Sequence, residues 1–140
     1  MIKNPLRVPI PDSNAVKEIY SGLNFSIVVC EEAGKLYGFG SNKAKVLASV
    51  SYSYLPTPHE ITKLSEYGYD KIDKFGCSLN EGNNMVVAST SDGKTIAYGV
   101  DDVALDDFDD IEEPIEISAL KGFQVVGLAI FKGEGYVIAK

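Results

Sequence analysis

The chain has no tryptophan, one histidine and two cysteines among its 140 residues. With His59 the only histidine, a His-based metal cluster and an ordinary Ser-His-acid triad are both excluded. Cys30 and Cys77 stand 47 residues apart with no further cysteine near either. That excludes zinc-finger spacing and a disulfide framework, and free thiols point to a reducing, intracellular compartment, cytoplasmic or nuclear. Cys30 lies in a Val-rich stretch and reads as a small buried hydrophobe. Basic residues are few, 13 Lys and Arg against 20 Asp and Glu, for a net charge of −7. They are also scattered. Phosphate contacts need clustered cations, so no nucleic-acid surface is expected. No apolar run approaches the length of a membrane span. The polar, Pro-rich opening residues predict no secretory leader. The glycines follow neither the dinucleotide-binding nor the P-loop spacing. No catalytic residues, metal or cofactor are therefore expected.

What the chain does have is repetition. Gly22 to Gly40 reads GLNFSIVVCEEAGKLYGFG, and Gly82 to Gly99 reads GNNMVVASTSDGKTIAYG. Each opens on glycine, carries a short apolar strand, turns at a Gly-Lys pair and closes on glycine. Gly34 to Gly40 and Gly93 to Gly99 both span six residues. A third start, GEGYVIAK, begins at Gly133. A Pro-x-x-aliphatic pattern recurs too, as Pro5 to Val8, Pro58 to Ile61 and Pro114 to Ile117, at intervals of 53 and 56 residues. A fixed period of this size marks a stacked or radial repeat architecture.

In chain order, Leu6, Val8 and Ile10 alternate as in a short edge strand. Val16, Ile19 and Tyr20 form a strand that ends at Gly22. Asn24 to Cys30 has the β-branched composition of a buried strand. Glu31 to Gly34 turns the chain, and Lys35 to Phe39 closes a hairpin. Ala44 to Val50 suggests a helical turn. Pro58 to Leu64, Tyr69 to Phe75, Met85 to Ser89 and Thr95 to Gly99 then read as a four-stranded antiparallel unit. Asp92-Gly93 suits a two-residue type I′ turn, which brings Met85 and Val87 beside Ile96 and Tyr98. Gly68 to Tyr69 and Asn80 to Asn84 are turns by composition. The expected fold is all-β: antiparallel four-stranded blades of a β-propeller, about two and a half of them, as an incomplete arc. Repeats run over 5–57, 58–113 and, incompletely, 114–140. Gly22, Gly34, Gly40, Gly82, Gly93 and Gly99 are its structural glycines.

Asn24-Phe-Ser-Ile-Val-Val followed by Gly34-Lys-Leu-Tyr-Gly-Phe-Gly-Ser-Asn42 resembles the repeat of the regulator of chromosome condensation family. In the second copy Gly99-Val-Asp101 replaces Gly-x-Asn, and Met85 stands at the aromatic place. The Gly-Gln-Leu-Gly segment that follows the Asn in that family is Lys43-Ala-Lys-Val-Leu47 here. The resemblance covers nearly the whole chain. It implies a propeller that needs further blades, from a partner or from copies of the chain, to close its ring. It also implies the family's exchange activity on a Ran-type small GTPase as one reading. A light sensor of the family's Trp-based kind is excluded by composition.

Val100 to Glu113 holds eight of the twenty acidic residues. Its paired carboxylates lack the alternation and central glycine of a calcium loop. A solvated loop is the plain reading. A docking patch for a basic protein is the functional one, with Asp106, Asp107, Asp109 and Asp110 as charges and Phe108 as an anchor. Tyr52 and Tyr54 join it as interface candidates, with Tyr67 and Tyr69 nearby in sequence. The expected function is a non-catalytic protein-interaction or scaffold module, with a homo-oligomer or a larger complex completing the ring. The alternative is a piece of a guanine-nucleotide exchange factor. A protein partner is expected, without nucleic acid or membrane.

Overall fold

The computed structural model describes residues 6–11, 15–32, 34–42, 45–47, 52–79, 85–99, 111–131 and 134–140. The first sheet is threaded in chain order from β1 (Val16–Ser21), β2 (Phe25–Cys30), β3 (Leu36–Ser41) and β4 (Tyr54–Glu60). A short helix, α1 (Lys63–Glu66), leads to the second sheet: β5 (Ile72–Cys77), β6 (Val86–Thr90), β7 (Thr95–Gly99) and β8 (Ile111–Glu116). A 3₁₀ turn at Ser118–Leu120 leads to a hairpin of β9 (Val125–Phe131) and β10 (Glu134–Ala139). Every pairing within the sheets is antiparallel, and a single parallel bridge joins Ser78 to Ile130.

The three units carry one irregularity at one place. Register slips past Lys17 in β1, Asp73 in β5 and Val126 in β9, against the last residues of β2, β6 and β10. A β-bulge leaves one residue unpaired and sharpens the twist, and here it recurs at the same step. The equivalences follow directly. Ile19, Phe75 and Leu128 correspond, as do Ile27, Val87 and Tyr136, and Val28, Ala88 and Val137. The C-terminal hairpin is thus the first half of a third unit.

The main core lies between the first two sheets. Phe25, Ile27, Val29, Leu36 and Leu55 of the first meet Phe75, Val86, Ala88, Ile96 and Tyr98 of the second, with Ile61 and Leu64 of the linker between them. The opposite face of the first sheet buries Val28, Cys30 and Tyr37 beneath Ile10. Cys30 is therefore a buried hydrophobe, as its surroundings in sequence suggested.

Several strand assignments shift. Residues 6–10 form no strand, although Ile10 packs on the first sheet. Pro58 does not open the second sheet. It sits in β4, the outer strand of the first, and Pro114 sits likewise in β8. Proline lacks the N–H that a central strand needs and is confined to edges. Ladder pairing is interrupted around both, between Gly38 and Gly40 on β3 and between Ala97 and Gly99 on β7. Leu64 belongs to α1, and the strand expected from Tyr69 begins at Ile72.

The Asp92-Gly93 turn also differs. Gly93 has φ +89°, but Asp92 is not among the residues with positive φ, so the turn is not type I′. The Gly93 N–H donates to the Thr90 carbonyl at 3.2 Å, and the Thr90 N–H donates to the Lys94 carbonyl at 2.9 Å. This is a type I turn closed by a glycine bulge. The extra residue moves the register by one and exchanges the faces. Val86 and Ala88, not Met85 and Val87, stand opposite Tyr98 and Ile96.

Candidate functional site

The threading gives the blades two unlike ends. At one end the connections are tight and clasped. Gly34 (φ +81°) ends the β2–β3 turn, and a Cβ there would meet the Asp70 carbonyl oxygen at 2.9 Å. The Gly93 carbonyl accepts a hydrogen bond from the Gly122 N–H at 3.2 Å. Each hairpin tip is thus pressed by the linker that follows its sheet. Gly68 (φ +82°) and Gly122 (φ +85°) turn those two linkers. Glu31 N–H to Ala15 carbonyl and Ser91 N–H to Lys71 carbonyl, both 2.9 Å, repeat the arrangement on the strand before.

At the other end the β3–β4 and β7–β8 connections are long. The chain leaves β3 at Ser41 and re-enters at Tyr54, which pairs with Ser41. It leaves β7 at Gly99 and re-enters at Ile111, which pairs with Gly99. Tyr52 and Tyr54 lie at this end, 68% and 62% exposed. Asp106, Asp107, Phe108, Asp109 and Asp110 fall outside the described residues, but the strand ends flanking them are here. Gly82 and the Asn80 to Asn84 turn are also outside the described residues. Gly40 (φ +102°) and Gly99 (φ +101°) close the two sheets at this end. A Cβ on Gly40 would collide with the Asn24 carbonyl. Gly22 packs against the ring of Phe25.

The tyrosines do not form one cluster. Tyr67 and Tyr69 lie at the clasped end, where Lys94 Nζ sits 5.4 Å from the centre of the Tyr69 ring. His59 is half-buried near the end of β4, with Nδ1 2.8 Å from the Thr57 carbonyl. Among the described residues no three His, Cys, Asp or Glu side chains gather as a cation site.

Two structural devices escaped the sequence reading. Asn42 is 4% exposed, and its side chain pins the Ser41–Tyr54 connection from both sides. Its Nδ2 donates to the Tyr52 carbonyl at 3.0 Å and its Oδ1 accepts from the Leu47 N–H at 3.0 Å. The Gly-x-Asn motif was visible, and its place at a strand exit was the available signal. The second device joins the sheets. Lys74 Nζ donates to both carboxylate oxygens of Glu18, and the Tyr20 hydroxyl donates to Glu18 Oε2. Tyr20 also tilts its ring against Phe75 at 5.5 Å. The Tyr20 and Lys74 hydrogen bonds, in that order, hold the Glu18 carboxyl below its usual range. Glu18 and Lys74 hold equivalent places, one residue past the bulge in β1 and β5, but neither is a glycine or proline of the repeat motif, so no sequence pattern singled them out.

No protein-family model and no curated protein sequence matches the chain. Solved structures do. Human WBSCR16 is similar over 99% of this chain and 36% of its own, at a TM-score of 0.69 and 13% identity. Prp20p of Saccharomyces cerevisiae, whose binding properties to Gsp1p and histones are described with its structure, is similar over 99% of this chain and 33% of its own. Its TM-score is 0.69 and its identity 18%. Both are β-propeller proteins of the regulator of chromosome condensation family. These sheets are propeller blades. The chain spans about a third of the length of either relative. Its described residues form two four-stranded blades and the first hairpin of a third. Among the described residues no helix is long and apolar enough to cross a membrane.

Proposed function

We propose that this chain is a propeller-repeat interaction module that binds another protein through the loop end of its blades, without catalysing chemistry. One observation carries the reading. The threading gathers exposed Tyr52 and Tyr54, and the strand ends that flank the acidic 100–110 segment, at the same end of the blades. Among the described residues the clasped end offers no comparable open loops. Aromatic anchors beside carboxylates suit a basic partner, because charge steers the encounter and the ring supplies buried area. The likeness to Prp20p, described as binding histones, makes core histones the first probe.

The test is a binding titration of purified core histones at two salt concentrations. Replacing Asp106, Asp107, Asp109 and Asp110 with Asn should weaken binding and flatten its salt dependence. Tyr52→Ala with Tyr54→Ala should weaken it at both salts. Binding unchanged by both sets would return the acidic segment to a solvated loop and remove this reading.

A second reading rests on the same likeness, since Prp20p is also described as binding Gsp1p. In it the chain is a piece of an exchange factor for a Ran-type GTPase. Accelerated release of labelled GDP would support it, and no acceleration at high concentration would sink it for this chain.

A further inference from the structure

Asp92-Gly93 is the one place in the sequence where an Asp or Asn precedes a glycine. Such a pair is open to rearrangement, because glycine sets no side chain in the way of its own amide nitrogen. The Gly93 nitrogen attacks the side-chain carbon of Asp92. A C–N bond forms, and the C–OH bond of the protonated carboxyl breaks. The hydroxyl leaves with the amide proton as water. A second water opens the resulting succinimide ring at the main-chain carbonyl, and the chain then runs through Asp92 Cβ. The product is isoaspartate, with no atom gained or lost overall.

The turn ties both reacting groups to one residue. Asp92 is exposed at its tip, and Gly93 follows with φ +89°. Thr90 is buried. Its hydroxyl donates to Asp92 Oδ1 at 2.5 Å and accepts from the Lys94 N–H at 3.0 Å. Its carbonyl accepts the Gly93 N–H at 3.2 Å. The electrophile is thus held by the Thr90 side chain and the nucleophile by the Thr90 main chain. The Thr90 hydrogen bond first, then the charges of Lys94 on the same turn and Lys71 on the neighbouring linker, keep the Asp92 carboxyl below its ordinary 3.8. An ionised carboxylate has no hydroxyl to lose, so this too slows the reaction.

We propose that Asp92 is an isoaspartate-forming modification site, and that Thr90 is the positioning residue that keeps it closed in the folded chain. The consequence of the reaction falls on the clasp. Isoaspartate adds one methylene to the main chain of a turn whose register rests on a single residue. The Lys94 N–H then misses the Thr90 hydroxyl, and the Gly93 carbonyl turns away from the Gly122 N–H that presses this hairpin tip onto the linker before β9. The folded chain resists the change, and a chain opened at this turn ages there first. The site lies at the clasped end, apart from Tyr52 and Tyr54, so failure of either proposal leaves the other standing.

The test ages the intact protein at pH 5, native or in urea. Isoaspartate is located by peptide mapping and by enzymatic methylation of its α-carboxylate. Wild type in urea should isomerise at Asp92 about tenfold faster than native wild type, which has both ties in place. Native Thr90→Val should isomerise about fivefold faster than native wild type, and Thr90→Ser, which keeps the hydroxyl, should stay near wild type. In urea all three should age alike. The pH profile separates positioning from packing. The native wild-type rate should fall away at lower pH than that of Thr90→Val, whose Asp92 carboxyl moves back toward its ordinary 3.8. Should Thr90→Val unfold, Thr90→Ser and the native-against-urea comparison of wild type carry the test. Equal rates for native and unfolded wild type, or for native Thr90→Val and wild type, would overturn the proposal. So would isoaspartate that accumulates first at another aspartate.

Discussion

Lys74 of the second blade grips Glu18 of the first, its Nζ 3.0 and 3.2 Å from the two carboxylate oxygens. The pair joins the inner strands β1 and β5 across the boundary between blades. Both side chains are about a third exposed, so solvent screens the attraction, and its net worth is small. The Tyr20 hydroxyl adds a neutral donor to the same carboxylate.

Glu18→Gln should cost about 1 kcal/mol at pH 7, measured by urea unfolding. The pH dependence has a definite sign. The folded blades hold the Glu18 carboxyl below its usual 4.5, so its contribution is whole above that value. It is lost as pH falls through the lowered folded value. Stability of the wild-type chain should therefore drop more steeply below pH 4.5 than that of Glu18→Gln. Parallel acid limbs would show that Glu18 is not held by its neighbours.

Gly34→Val and Gly93→Val should both destabilise, each by about 1–3 kcal/mol, because a β-branched residue resists positive φ. Gly34→Val should be the worse. Its new Cβ meets the Asp70 carbonyl at 2.9 Å, whereas a Cβ at Gly93 meets Gly122 at an ordinary 3.7 Å. Thermal unfolding of the two variants gives the order directly, and the reverse order would contradict the clasp at Asp70.

Asn42→Ala should cost about 1–3 kcal/mol, since it strips a partner from both the Leu47 N–H and the Tyr52 carbonyl in a buried place. Asn42→Asp keeps the acceptor for the Leu47 N–H but sets a buried carboxylate oxygen against the Tyr52 carbonyl, so at pH 7 it should cost at least as much as alanine. Faster amide exchange at Leu47 in the alanine variant, absent in the aspartate variant, is the readout.

Burial pushes the Cys77 thiol up to about 12 and raises that of Cys30 as well. The thiolate is the reactive form, so native protein at pH 8 should react slowly with a disulfide reagent, and both cysteines should react at once in urea. For Cys77 the folded-state contribution is whole below its ordinary value of 9.0 and declines as pH rises toward about 12. Immediate modification of Cys77 in the native state would contradict its surroundings.

The repeat was legible because glycine and proline mark places the backbone cannot fill otherwise. Gly34, Gly40, Gly93 and Gly99 all carry positive φ, and each stands at a turn or strand end that the sequence pattern located. The phase of the repeat was harder. Pro58 and Pro114 were seen as landmarks, but only pairing reveals that they end one blade rather than begin the next. The register at Asp92-Gly93 turned on a single residue, because a glycine bulge and a two-residue turn share one dipeptide. Partner choice was opaque for another reason. Glu18 and Lys74 meet across one repeat length of 56 residues, but they differ in charge and neither is a glycine or proline landmark of the motif. Tyr52 and Tyr54 were picked by residue type alone, and their shared end with Gly99 and Ile111, which flank the acidic segment, emerged from the threading.

The order of the strands has a consequence in time as well as in space. A ribosome completes the first sheet when it has made Glu60, yet Ile27, Val29 and Leu36 have no cover until Phe75 to Tyr98 emerge. For that interval the newborn sheet holds its hydrogen bonds but shows a bare oily face. Protease sensitivity should therefore fall in one step as synthesis passes the second sheet, rather than gradually with length. The burial that joins the blades makes the second a condition for the first to persist.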